Sequence, residues 1–299
     1  MLSPKPIPAV LLPVAAATAI GCGGVAIDEG ESDVSSTQVL LVVEQTASAM
    51  ERHTTRSHAS LWFLRIADER DFSAAVGLVA ARSDLPAVGS CAAVGVEADR
   101  AAPARMSRVD LAFAGDAQVR TRDASTPLTV RFFPNVAALV SGVMYTLHDQ
   151  DDLRTPLAGW LSVVAAGSKE FEAVEASARL PLYPEVVSIN GVDLRSVSDV
   201  EDVQIARDAS VPLAWAADNE GDVIHIDIDS VPAVPAHRVR CVFADSGAAE
   251  IPWEAIPDSP EIGIAVHRSR NVALRSEWGE VGMAYFDLAV TTRVRLASP

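Results

Sequence analysis

The feature that most constrains the fold is a recurrent alternation of apolar and polar residues in short runs, punctuated by turn residues. Asp222-Val-Ile-His-Ile-Asp-Ile228 places Ile224, Ile226 and Ile228 on one side, with His225 and Asp227 among those on the other. Arg238-Val-Arg-Cys-Val-Phe243 alternates in the same way, and residues 107–113 put Val109, Leu111 and Phe113 on one face. A period of two is that of a half-buried strand, because successive Cβ atoms point to opposite sides of a sheet. Strand-like runs cover residues 38–44, 58–66, 74–81, 91–97, 107–114, 117–122, 127–132, 141–147, 159–165 and 171–179. A second set covers 186–190, 203–206, 211–217, 222–228, 238–244, 263–268 and 281–296. Asn190-Gly191, Asn219-Glu-Gly221 and Asp245-Ser-Gly247 supply turn chemistry between them, since these residue types tolerate positive φ or bond their own backbone. Residues 47–58 suggest one short polar helix, and Pro252 suggests a helical turn over 251–256. Many short strands with regular turn signals predict an all-β chain of two β-sandwich, immunoglobulin-like domains, 38–180 and 185–299, with a single large barrel or one continuous elongated sandwich as the alternatives. Pro181-Leu-Tyr-Pro184 reads as the linker, and a shared Ser-x-Pro-Leu strand entry at Ser125 and Ser210 suggests like architecture. An apolar content of 49% is ample for buried cores.

The first residues carry a different signal. Lys5 precedes an apolar run over 7–19, followed by Ala19-Ile20-Gly21-Cys22-Gly23-Gly24. The run is too short to span a bilayer, and Pro4, Pro6, Pro8 and Pro13 fit a helix poorly. It has the layout of a secretory leader with small residues at the cut. The ending resembles the lipobox of bacterial lipoproteins. That resemblance implies a signal peptide over 1–21, acylation of the Cys22 thiol, and Cys22 as the mature N-terminus. Gly23 in place of Asp implies delivery to the outer membrane. The acidic, Gly- and Ser-containing stretch 22–37 then reads as a flexible, lipid-anchored tether.

A net charge of −16 repels phosphate backbones, which argues against nucleic acid as a partner. The expected partners are the membrane, through the anchor, and proteins or glycans of the envelope. Beyond Cys22 the cysteines are Cys91 and Cys241. Two buried apolar thiols are the plainer reading, and an oxidising compartment permits a bridge.

Several segments of the second half look familiar in their order: Pro212-Leu-Ala-Trp215, residues 222–228, Val239-Arg-Cys-Val-Phe-Ala-Asp-Ser-Gly247 and Glu250-Ile-Pro252. Together with the Gly-Cys-Gly-Gly anchor they resemble the uncharacterised secreted and lipid-anchored proteins of myxobacteria, built from immunoglobulin-like or fibronectin-like β-modules. The resemblance implies fold and location and brings no activity with it.

Constellations that could carry chemistry are weak. Residues 39–48 resemble the first strand and metal loop of a von Willebrand A domain, with Glu44, Thr46 and Ser48 at the ligand positions. Glu in place of Asp moves the carboxylate outward by one carbon, and a first β-strand with a polar turn is the simpler reading. His53 and His58 lack the spacing and the intervening Glu of a zinc-protease helix. The acidic stretches 148–152 and 218–222 read as solvated turns. Ser90 and Ser168 follow glycines without forming a nucleophile elbow. A triad assembled in space could draw on His225, His237 or His267, because triads need not be close in sequence. Trp215 reads as core, while Trp253 and Trp278 lie near turns; half-buried packing is the plainer reading for them, and a sugar or peptide platform the alternative. No catalytic, cofactor-binding or metal-ligating residue is therefore assigned, no cofactor is expected, and Cys22 is the one site residue. The expected role is non-enzymatic: an interaction or structural module of the cell envelope. The alternatives are an extracytoplasmic hydrolase with dispersed site residues and a metal-dependent adhesion protein.

Overall fold

The computed structural model describes residues 36–49, 55–66, 76, 85–94, 109–136, 140–147, 159–194, 203–206, 209–218, 221–231 and 238–297. Cys22 with the leader, His53, His237 and the acidic stretch 148–152 lie outside these residues. The chain is all-β. Its first half contributes β1 (Ser36–Ser48), β2 (Thr55–Ile66), β3 (Ser90–Ala93), β4 (Val109–Leu111), β5 (Ala117–Arg120), β6 (Ser125–Pro127), β7 (Thr129–Val136), β8 (Val140–Thr146), β9 (Gly159–Ala165) and β10 (Val174–Leu180). Its second half contributes β11 (Val186–Ile189), β12 (Val192–Asp193), β13 (Gln204–Ile205), β14 (Val211–Trp215), β15 (Val223–Ser230), β16 (Val239–Ala244), β17 (Ala248–Ile251), β18 (Glu261–Ser276) and β19 (Gly279–Leu296). Among the described residues, no helix is long and apolar enough to cross a membrane.

The last hairpin is the spine. β18 and β19 pair antiparallel from Glu261↔Arg295 to Ser276↔Gly279. On the outer edge of β18, β15 pairs over Ile262–Ser269 and β10 pairs at Arg275. On the outer edge of β19, β1 runs parallel from Gly282 to Thr291, and β13 pairs at Arg295 and Leu296. Strands of 38–180 and of 185–299 thus share one sheet, whose main path is β6-β5-β9-β10-β18-β19-β1-β2-β4-β8-β7. The two ends of that path, β6 and β7, are separated in the chain by Leu128 alone, whose N–H donates to the Ala117 carbonyl at 2.9 Å. The path therefore bends round until it nearly closes on itself, like a barrel. A second sheet, β12-β11-β14-β17, stands apart from it.

The even-numbered residues of the spine face two cores in succession. Leu274, Ala284 and Phe286 join Leu41, Val43, Leu61, Phe63, Val119, Leu161 and Val163 inside the barrel-like path. Ile262, Ile264, Val266, Val290 and Val294 join Ile224 and Ile226 of β15 against Ile189, Val211, Leu213 and Ile251 of the second sheet. Here two sheets pack face to face, as in a sandwich. A smaller cluster on the opposite face gathers Leu40, Val42, Trp62, Leu64 and Tyr285.

Between the two large cores the same face of β18 carries Arg268 and Arg270. Arg268 is fully buried and donates to the Leu182 and Ala216 carbonyls and to Asp245. Arg270 binds Asp218 and Asp222. The segment 181–184, expected as a linker, crosses the spine at this ionic seam: the Leu182 N–H donates to Asp218 and the Tyr183 hydroxyl donates to the Ala289 carbonyl.

Two expectations are corrected. Residues 47–58 do not form a helix where they are described; Ala47 and Ser48 end β1, and Thr55 to His58 begin β2. Tertiary pairing overrides weak local preference here, since the two stretches hydrogen-bond to each other. The cysteines are not free thiols: Cys91 and Cys241 sit directly opposite in the β3–β16 ladder and form a disulfide. Other readings hold. Asn190 and Gly191 both take positive φ, 52° and 76°, in the tight turn between β11 and β12. Trp253–Ala255 forms a 3-10 turn just after Pro252.

The parallel contact of β1 with β19 needs a residue without a side chain at 282, where a Cβ would overlap the Val39 carbonyl. Gly282→Ala is expected to cost about 1–3 kcal/mol by overpacking. Chemical denaturation checks this, and an unchanged midpoint would mean that β1 does not lie against β19 in this register.

Candidate functional site

The odd-numbered face of the spine, opposite the two large cores, brings two histidines, a serine and an aspartate together. On β15 the phase that buries Ile224, Ile226 and Ile228 in the core turns His225 and Asp227 to this face. On β18 the burial of Ile264 and Val266 does the same for His267 and Ser269. His225 pairs with His267 across the ladder, and Ser269 pairs with Asp287 of β19. Three strands, two of them joined as the last hairpin, thereby converge on one patch.

The two imidazoles stack, with ring centroids 4.3 Å apart and planes inclined by 15°. His267 Nδ1 lies 3.0 Å from Asp287 Oδ1. Ser269 Oγ lies 3.4 Å from both His225 Nδ1 and Asp287 Oδ1, long for a hydrogen bond. One ligand atom from each of His225, His267 and Asp287 falls within 4.8 Å of the others. His225 is buried, while the side chains of His267 and Asp287 remain 18% and 30% exposed, so solvent reaches the group from one side. Burial, followed by the neighbouring His267, pushes the His225 imidazole down to about 3, so it is neutral at pH 7. Beside it Asp227 is clasped by Arg240 through two bonds of 2.6 and 2.7 Å. Burial would raise the Asp227 carboxyl; the Arg240 bonds outweigh this and hold it below its ordinary value.

A neutral imidazole is the ligand form of histidine. A histidine whose Nδ1 is held by a carboxylate presents Nε2 with its tautomer and orientation set, an arrangement that serves metal ligation and general-base chemistry alike. The group brings together His225 and His267 of the three histidines that sequence proposes for a triad. It differs from a triad in its pairing, because Ser269 approaches His225 while Asp287 holds His267. Asp287 and Ser269 are absent from the sequence reading. Their signal is weak, since each is one polar residue in a long strand and only the ladder register joins them.

The remaining candidates are placed as follows. Glu44, Thr46 and Ser48 lie within β1, paired to β19 on one side and, at Glu44 and Thr46, to β2 on the other, so Glu44 and Thr46 stand on a strand face and not in a loop beyond it. The Glu44 position is adjacent to Asp287 in register. His58 is exposed and its Nε2 lies 2.9 Å from the Ser60 hydroxyl. Ser168 caps its own turn, donating to the Phe113 carbonyl and accepting the Glu170 N–H. Trp215 is buried, as expected, with its indole N–H donating to Asp245 at 2.7 Å. Trp253 is half-buried against the second core. Trp278 is not half-buried: it is 90% exposed at the tip of the β18–β19 hairpin. No protein-family model matches the sequence, and no curated protein matches it significantly.

Proposed function

We propose that this protein is a lipid-anchored component of the cell envelope, held at the outer membrane through Cys22, whose all-β body acts as a non-enzymatic interaction module. In this reading two immunoglobulin-like β-sandwich modules, 38–180 and 185–299, are fused along β18 and β19, in the style of the myxobacterial lipoproteins that the sequence resembles. The observation that carries an interaction role is the display of large aromatic side chains on rigid strands and a hairpin tip: Trp278 at 90% exposure, Phe132 at 84% and Trp160 at 61%. Aromatic rings held in water by a rigid scaffold lose little conformational entropy on binding and offer flat apolar area to a protein or a sugar ring. Phe132 lies on β7, an end of the sheet path, where an added strand can pair.

Two variants test this. Cys22→Ser is expected to move the protein from the membrane pellet to the soluble fraction; continued pelleting rules out the anchor. Trp278→Ala with Trp160→Ala is expected to leave thermal stability within about 0.5 kcal/mol and to abolish retention of envelope glycans or proteins that the wild type captures. Retention equal to wild type rules out the aromatic surface. A second reading, an extracytoplasmic hydrolase, draws on the His267–Asp287 pair beside Ser269. Ester or amide hydrolysis by the purified protein that is lost in Ser269→Ala selects it instead.

A further inference from the structure

We propose that His225, His267 and Asp287 form a binding site for a divalent transition metal ion, with zinc as the preferred occupant. This is independent of the anchored-module reading. Two imidazoles and one carboxylate form a donor set suited to zinc-class ions, and it is a poor match for calcium or magnesium, which take oxygen ligands. The three donors come from adjacent strands of one sheet, each fixed by a ladder on both edges: β15 between β16 and β18, β18 between β15 and β19, and β19 between β18 and β1. The scaffold is therefore rigid, and the side chains supply the adjustment.

That adjustment is small. Ligand atoms about 2.0–2.2 Å from a tetrahedral zinc lie roughly 3.4 Å apart, against donors that already fall within 4.8 Å of one another. Rotations about the side-chain bonds of His267 and Asp287, both on the open side, bring the set together. His225 is buried, and among the described residues its hydrogen bonding is limited to Ser269 at 3.4 Å, so a ring nitrogen of a buried side chain remains for an ion. His267 Nδ1 and Asp287 Oδ1 already lie 3.0 Å apart, close to the spacing of two ligands of one ion, which takes the place of the proton they share. The two rings stack at 4.3 Å with nearly parallel planes, so an ion is shared when the His267 ring, on the open side, turns out of the stack toward it. Exposure on one side gives the ion an entry path and leaves a coordination position for water or an external ligand. Glu44, next to Asp287 in register and exposed, stands where a fourth protein oxygen can join.

The test is titration of the full-length, metal-stripped protein in detergent with ZnCl₂ by calorimetry, and with CoCl₂ by visible absorption. The expected result is one equivalent bound per chain, with cobalt bands of a four- or five-coordinate site. His267→Gln and Asp287→Asn should each weaken zinc binding by at least about tenfold and remove the cobalt bands, while His58→Gln changes neither. Asp287→Asn keeps the side-chain shape, so it reports on ligation even where His267→Gln disturbs the strand. Circular dichroism of the metal-free variants verifies the fold. Wild-type protein that takes up no zinc, or binding that survives both substitutions at full stoichiometry and affinity, overturns the site.

Discussion

Asp245→Ala will destabilise the folded protein by about 3–5 kcal/mol, the cost of leaving a buried charge without its partner. Arg268 is fully enclosed, and Asp245, 2% exposed, is the carboxylate closest to it, with Oδ2 3.0 Å from Nε and Oδ1 3.0 Å from Nη2. The same carboxylate accepts the Trp215 indole N–H at 2.7 Å and the Asp218 backbone N–H at 3.1 Å. Removing it strands a guanidinium, an indole donor and a backbone donor in the seam between the two cores. Asp222 Oδ2, 4.0 Å from Arg268 Nε and already committed to Arg270, compensates little. For a body of this size each kcal/mol shifts the midpoint by roughly 2–4 °C, so a fall of about 10 °C is expected in a thermal melt. The effect is also pH-dependent. Burial alone would raise the Asp245 carboxyl, yet the bonds from Arg268, Trp215 and Asp218 hold it below its ordinary value. A depressed folded-state value contributes stability that is present above the unfolded value of about 3.9 and is lost as pH falls below it. The wild type should therefore lose stability on acidification through that window, and the variant should lose less. A melt within 2 °C of wild type at pH 7 would show that Arg268 is not held by this carboxylate.

That seam was hidden in the sequence, and the reason is physical. Alternation reports which side of a strand faces a core, and it located β15, β16 and most of β19 correctly. It broke at Arg268, a charged residue in an inward phase, so the sequence reading ends the strand there; β18 runs on to Ser276. Arg270 and Asn271 deepen the impression of a loop. The residues that make this stretch a strand are its partners in β19 and the carboxylates of Asp222 and Asp245, which arrive from elsewhere in the chain. Apart from Ala49 and Cys91, which pack against it, the second core is built from residues from Tyr183 onward, whereas the first core takes Leu274, Ala284 and Phe286 from the last hairpin. Nothing local announces that β1 will lie parallel to β19 and carry the first half onto the same sheet. Register between strands far apart in sequence is set by packing and backbone pairing together, and a single sequence shows neither.

The histidine group illustrates the same boundary at finer scale. His225 sits between Ile224 and Ile226, and His267 follows Val266, so each is legible as facing away from the core. Their meeting depends on β15 lying beside β18 in one register; a slip by one residue would send one ring into the core. Asp287, between Phe286 and Leu288, is legible as outward for the same reason, and its partnership with His267 follows only from the hairpin register. The aromatic surface failed differently. Trp278 neighbours a glycine at a turn, and such residues are often tucked against a hairpin; here Gly279 takes a φ of 131° and the ring projects into solvent.

Loss of the Cys91–Cys241 bridge is expected to lower stability by about 2–5 kcal/mol. The two residues are separated by 150 positions, and a cross-link closing so long a loop removes much of the freedom of the unfolded chain, about 5 kcal/mol in the chain-entropy account. The native contribution is local as well. β3 is four residues long and is held to the sheet through its ladder to β16 alone among the described strands, so the bridge is what ties this edge down. Cys91→Ala is the better variant, because Cys91 is half-exposed while Cys241 is fully buried and would leave a cavity or an unpaired polar atom. Reduced wild type and Cys91→Ala should melt at similar temperatures, both well below the oxidised protein. Amide exchange at Ser90–Ala93 should accelerate more than exchange in β18 or β19. Thiol titration under denaturing conditions supplies the control: protein made in an oxidising compartment should show no free thiol from this pair, and full reduction should release two. Equal melting of oxidised and fully reduced protein would mean that β3 and β16 are held together by the ladder itself, with the covalent bond adding nothing to the balance.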